Sequence, residues 1–250
     1  MYKLYVIPGS HACRSAILML EHKQVPYRRV DVVTLTHPLV ARLHGFDAGG
    51  QTRSAGARRP LPLRFGDLLG TVPALAADGQ RVSTNRGIAR FLEERHPEPP
   101  LFPADPGQRR AVEDVERWAN ETLQMAARRI ALAGTLHDWR ALSRSSADGR
   151  MGHLLYRREL ARRLIIPMIA RGPFAVGRAA ERELLAELPA MLDRIDGWIA
   201  EGVLGGAELN AADFMVAPSL ALMLYRPDLL PQLEGRPALE LVDRLLPEPA

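Results

Sequence analysis

Cysteine occurs once in this chain, at Cys13, and lysine only twice, at Lys3 and Lys23. A lone thiol excludes an internal disulfide framework and any multi-cysteine metal site, so reducing surroundings are expected. The seven histidines are scattered, with no pair at the i, i+4 spacing that puts two imidazoles on one helix face, and no metal is expected. Long apolar runs are missing as well. The longest uncharged stretch, Phe214 to Tyr225, falls far short of the roughly 20 residues that cross a bilayer, so it reads as a buried core helix and no membrane span is expected. The opening MYKLYVIPGSH lacks the charged start and longer apolar region of a secretory signal, which makes a cytoplasmic location the expectation.

What the chain does contain is arginine. The formal net charge of +4 is carried almost wholly by that residue. Acidic residues are interleaved along most of the sequence, as in ERELLAEL and VEDVERW, which is the pattern of a solvated, ion-paired surface. Aromatic interleaving and a known nucleic-acid motif are both lacking, so binding to DNA or RNA is not the favoured reading. With 47% hydrophobic and 25% charged residues, the composition is that of an ordinary globular protein able to bury one large core or two modest ones.

Strand and helix signals alternate at first. Lys3 to Ile7 is a short β-branched and aromatic run closed by Pro8 and Gly9, and Ser10 then stands as the N-cap of a helix reaching Lys23. Tyr27 to Val32 reads as a second strand, parallel to the first through a right-handed crossover. A short helix over Pro38 to Leu43 precedes a stretch out of character, Asp47 to Leu69, rich in Gly, Arg and Pro with no apolar period. It reads as an inserted loop, either a disordered segment or a functional lid. The regular pattern resumes as a strand over Val72 to Leu75, a tight Asp78-Gly79 turn, a return strand Gln80 to Val82, and a helix from about Asn85 with Ile88, Phe91 and Leu92 on one face.

The proline-dense stretch from His96 to Pro106 cannot continue a helix and reads as a linker over 97–106, between an α/β unit at 1–96 and an all-helical unit at 107–250. Helices are expected over Gly107 to Ala133, near Leu136 to Leu142, over Met151 to Ala170 and Ala179 to Ile199, and in shorter pieces after Asn210 and Pro237. Leu160, Leu164, Ile165 and Met168 carry the apolar spacing of the third of these. Asn210 stands three residues before Asp213 and just ahead of an apolar run, the spacing of a reciprocal capping box.

Taken together, KLYVIPGSHACRSAILMLEHKQVPY, GTVPAL, DGQRV, NRGIARFLEERHP, LFPADP and LNAADFMVAPSL resemble the cytosolic glutathione S-transferase family. The first resembles its opening strand, active-site turn and first helix; GTVPAL its valine-proline strand; LNAADF its capped core helix. The resemblance implies a thioredoxin-like N-terminal domain and an all-α C-terminal domain. It further implies glutathione or another low-molecular-weight thiol as co-substrate, an apolar electrophile as second substrate, and a homodimer.

Residue by residue, the resemblance puts Ser10 where the family presents a hydroxyl or thiol to the glutathione sulfur. A hydroxyl donor and the positive end of a helix stabilise a thiolate; an N-cap that only satisfies orphan amides is the plainer role, and the two are compatible. Ser10 and Cys13 cannot form the internal disulfide of dithiol redox chemistry, so Cys13 reads as a small buried residue. Val72 before Pro73 matches the family's cis-proline, whose preceding residue pairs with the thiol peptide's backbone. Thr84 and Asn85 occupy the positions that hold the γ-glutamyl end, with Thr84 in place of the family's usual Glu or Gln and Asn85 as a helix cap beside the ligand. The inserted loop stands where relatives supply a basic contact, for which Arg53, Arg58, Arg59 and Arg64 are candidates. The electrophile is expected near Trp118 and Leu123. Two readings follow: a transferase joining a small thiol to an electrophile, or a non-catalytic binding module on the same fold.

Overall fold

The computed structural model describes residues 1–34, 36–46, 70–138, 140, 142, 150–151 and 159–247. The Arg- and Gly-rich insertion, with Arg53, Arg58, Arg59 and Arg64, lies outside the described residues, as does most of the stretch between Leu142 and Glu159.

The N-terminal part runs β1 (Tyr2–Val6), α1 (His11–His22), β2 (Tyr27–Asp31), α2 (His37–Leu43), β3 (Ala74–Ala77), β4 (Gln80–Ser83) and α3 (Asn85–Arg95). The strands form one mixed sheet in the order β2-β1-β3-β4. β1 and β2 pair in parallel with Tyr2 opposite Tyr27, whereas β3 runs antiparallel to β1 with Ala74 opposite Tyr5. Asp78 and Gly79 both take positive φ, 49° and 78°, which is what a two-residue hairpin between β3 and β4 demands.

Only helices follow among the described residues: α4 (Pro106–Trp118), a π-helical turn (Ala119–Leu123), α5 (Gln124–His137), α6 (Glu159–Arg171), α7 (Arg178–Ala200), α8 (Asp213–Met223), a 3₁₀ turn (Pro227–Leu229), α9 (Leu230–Leu233) and α10 (Pro237–Leu245). α4, the π turn and α5 are continuous, so Leu136 and His137 end this long helix rather than begin a separate one. α8 takes in the uncharged run of the sequence from Phe214 to Met223, and every residue of the helix is buried. It lies against α1, α5 and α10 and is the axis of the main core, which extends from Leu4 and Leu75 of the sheet to Leu241 of α10.

The reciprocal cap of α8 forms as its spacing requires. The Asn210 amide donates to Asp213 Oδ2 at 2.9 Å, and the Asp213 amide donates to Asn210 Oδ1 at 3.4 Å. Asp213 Oδ1 also accepts from Gly205 N at 2.8 Å, which binds the preceding loop to the helix start.

Two ionic clusters connect the sheet part to the helices. Buried Lys23 donates to Glu93 at 2.7 Å, and Glu93 also accepts the amides of Leu101 (2.9 Å) and Phe102 (3.3 Å), so the proline-rich segment is held to α3 by a carboxylate. Glu116 of α4 is fully buried and takes both Arg90 nitrogens, at 2.9 and 2.8 Å, together with Arg86 Nε at 3.2 Å. A buried carboxylate is tolerated only when paired and hydrogen-bonded in this way.

One apolar pattern is inverted relative to expectation. Leu160, Leu164 and Met168 are exposed at 68%, 62% and 56%, while Ile166, Ile169 and Ala170 form the buried face of α6. The helix is apolar on more than one face, and spacing alone does not tell which stripe meets the core.

Candidate functional site

The sheet topology brings three chain segments to one end. β1 ends there, β3 begins there because it is antiparallel to β1, and β4 ends there because it is antiparallel to β3. The residues that follow β1 (Ser10), precede β3 (Val72, Pro73) and follow β4 (Thr84, Asn85) therefore belong to the same end of the sheet. A direct bond joins two of these segments: the Thr84 amide donates to the Pro73 carbonyl at 3.3 Å.

Ser10 has extended backbone angles (φ −83°, ψ 121°), and its hydroxyl oxygen accepts the Cys13 amide at 3.4 Å, the geometry of an N-cap. Its amide donates to Ile7 at 3.1 Å, which closes the turn around Pro8 and Gly9. The first turn of α1 contains no acidic residue, so nothing on the helix neutralises its positive end. Cys13 is buried, and its sulfur accepts the Ile7 amide at 3.3 Å. Burial pushes the thiol above its usual range, against smaller opposite effects from the Ile7 and Ser10 contacts. Cys13 is thus a core residue, and the half-buried Ser10 is the group left at the mouth of α1.

The Val72–Pro73 bond is cis. Just before it, Gly70 passes so close to α2 that any Cβ there meets Ala41 Cβ at 2.9 Å, and its φ of 152° is one that L side chains rarely adopt. β3 begins at Ala74, so Val72 and Pro73 lead into the strand rather than belong to it.

Thr84, not Asn85, is the N-cap of α3: its hydroxyl oxygen accepts the Gly87 amide at 3.1 Å. The assignment of the cap to Asn85 is corrected accordingly, because the chain turns into the helix one residue earlier. Thr84 adopts φ 71°, a left-handed conformation that a β-branched residue takes only when the surroundings force it, and such outliers gather at functional sites. Asn85 is the first helical residue, only 3% exposed, and its Oδ1 has no hydrogen-bond partner. A buried acceptor left unpaired costs about 1–3 kcal/mol, so its presence at a helix mouth calls for a reason.

Two further residues of this end were not foreseen from the sequence. His11 is fully buried, and its Nε2 lies 3.1 Å from the Gln124 carbonyl, which only accepts; the ring therefore donates from Nε2. Burial, with the nearby Arg128 charge, holds this imidazole well below its usual range and so neutral. Gln124 opens α5 directly after the π turn, and such turns recur at functional sites. A histidine following a cap and a glutamine inside a long amphipathic helix carry no sequence signal of their own. Leu123, expected beside the electrophile, is instead fully buried in the core. Trp118 stacks edge-on against Trp198 of α7 at 5.0 Å, with the Arg194 guanidinium over both rings.

No family model and no curated protein matches this chain. Solved structures do. A glutathione S-transferase from Rhodospirillum rubrum F11 is 20% identical with a TM-score of 0.56, covering 100% of this chain and 94% of its own. A maleylacetoacetate isomerase from Anaeromyxobacter dehalogenans 2CP-1, solved with dicarboxyethyl glutathione and citrate in its active site, is 20% identical with a TM-score of 0.56 over 98% of this chain and 89% of its own. FzlA from C. crescentus is 18% identical with a TM-score of 0.53, over 98% and 91%. At these identities the likeness establishes the fold.

Proposed function

We propose that this chain, which has the glutathione S-transferase fold, binds glutathione or a similar small thiol at the Ser10 end of its sheet and transfers it to an electrophile. The observation that carries the reading is the buried, unpartnered Asn85 Oδ1 at the mouth of α3, at the same end of the sheet as Ser10 and tied to the Pro73 segment through Thr84. Neither α1 nor α3 has an acidic residue in its first turn, so two positive helix ends meet there, as suits an anionic thiol peptide. Val72 offers its backbone to the cysteinyl unit, Thr84 and Asn85 hold the γ-glutamyl end, and Asn85 Oδ1 accepts from its ammonium.

In this reading Ser10 donates its hydroxyl proton as a hydrogen bond to the sulfur and stabilises the thiolate, which is the nucleophile. The sulfur forms a bond to the electrophilic carbon, and the leaving group departs with its electron pair. The second reading, binding without turnover, is favoured by one observation: the Thr84 hydroxyl is engaged in capping, and no carboxylate stands at that position to meet the ligand's ammonium.

Calorimetry with glutathione, followed by turnover with a panel of alkyl and aryl halides, tests both. Micromolar to millimolar binding with turnover supports the transferase, and binding alone supports the second reading. Absence of glutathione binding rejects the transferase alone, because a binding module on this fold does not require that ligand.

A further inference from the structure

The helical part meets the Ser10 turn at Gln124, whose side chain keeps a buried donor without a partner. Gln124 is 7% exposed, its backbone carbonyl is engaged with His11, and its side-chain Nε2 has no hydrogen-bond partner. Such a buried amide donor is costly unless a ligand completes it. Arg128 stands one helical turn further along α5, and its positive charge is felt at both His11 and Cys13. His11 itself donates and is neutral, so it adds no acceptor on the Gln124 side. The first turn of α1 adds no carboxylate. An apolar group placed against Gln124 leaves its Nε2 unsatisfied, whereas an oxygen pairs with it.

Resting on the reading of Ser10 as the thiol site, we propose that Gln124 is a specificity-determining residue whose Nε2 donates to a carboxylate oxygen of the second substrate. The electrophile is then an acid-bearing molecule rather than a purely apolar one. Arg128 reinforces the preference by charge. Discrimination of this kind is strong because a site built to hydrogen-bond a group is left with an unpaired polar atom when the group is missing.

The test uses the full chain and a matched pair of probes. 4-Methylbenzoate and its methyl ester are compared by calorimetry, and 4-(chloromethyl)benzoate and its methyl ester by turnover with glutathione. The acid is expected to bind at least about tenfold tighter than the ester. Gln124→Leu should bring the two to parity, and the isosteric Gln124→Glu should weaken acid binding further by repulsion, both with unchanged glutathione affinity and an unchanged far-ultraviolet spectrum. Equal binding of acid and ester, or a preference that survives both substitutions, overturns the proposal. So does a loss of glutathione affinity as large as the loss of acid binding, which would make Gln124 a packing residue. Because acid binding is read without thiol, a protein that ignores glutathione refutes the transferase reading while the acid preference stands or falls by itself.

Discussion

Arg226 lies across Gly134 of α5 and reaches the carboxylate of Glu181 at 2.7 Å, with both side chains more than nine-tenths buried. The guanidinium also donates to the Ile130 carbonyl at 3.2 Å and to Asp228 at 3.0 Å, and His137 Nε2 lies 2.6 Å from the second Glu181 oxygen. One arginine thus joins α5, α7 and the turn after α8.

Substituting Gly134 should reveal how tightly that arginine is held. A Cβ there comes within 2.9 Å of Arg226 Cδ and 3.2 Å of Cγ, in a side chain pinned at its far end. Gly134→Ala, which in an exposed helix gains about 1 kcal/mol, is expected to lose about 1–3 kcal/mol by denaturant titration. A gain would mean that Arg226 is free to move.

Removing the cation should cost more. Arg226→Met leaves Glu181 buried with only His137 beside it, and a loss of about 3 kcal/mol is expected. Burial pulls the Glu181 carboxyl upward, but the His137 and Arg226 hydrogen bonds outweigh it and hold the group below its usual range. Its stabilisation is therefore complete above the unfolded carboxyl value and is lost as pH falls through the folded one. In Arg226→Met that acid-side loss should shrink.

Asp213 should show the opposite sign. Burial raises its carboxyl to about 6, against the amides of Gly205 and Asn210. Between the unfolded value near 4 and the folded one, only the folded state holds the proton, so stability falls as pH rises through that window and is flat above it, by about 3 kcal/mol in all. Asp213→Asn cannot titrate and should lack this slope, although it is less stable throughout because its amide nitrogen faces a donor. Parallel pH profiles for the two proteins would contradict the assignment.

Asn85→Leu keeps the branching and the number of heavy atoms of the side chain and removes the unpaired oxygen. Thermal stability is expected to stay level or rise, while glutathione affinity falls about tenfold. A large loss of stability would show the amide to be structural.

Ser10→Ala separates two roles of one hydroxyl. Loss of the cap to Cys13 should lower stability by about 1 kcal/mol. If the same hydroxyl also stabilises the bound thiolate, the apparent thiol pKa rises by about one unit, and conjugation below that pKa slows about tenfold. Undiminished turnover would leave Ser10 with the cap alone.

Much of this molecule is legible in local pattern. Ser10 before Ala16, Ile17 and Leu20, Asp78-Gly79 between two short strands, and Asn210 three residues ahead of Asp213 each encode an interaction a few residues long, and each forms as read. The cap of α3 is ambiguous by one residue in the sequence because Thr84 and Asn85 are both capping types, and only the fold, with Thr84 at positive φ, decides between them. Leu160, Leu164 and Met168 were legible as helix but not as surface, since an apolar stripe carries no label for which neighbour it meets.

The sequence by itself determined which segments of the sheet part become strands and helices, which thiol is single, and which apolar run becomes the central helix, because these depend on neighbours within a turn or two. Only the tertiary structure decided that the Gln124 carbonyl meets the ring of His11, that Asn85 is sealed with an oxygen unpaired, and that Arg226 bridges three elements. Each of those depends on desolvation and on partners that are distant along the chain, and a linear pattern records neither.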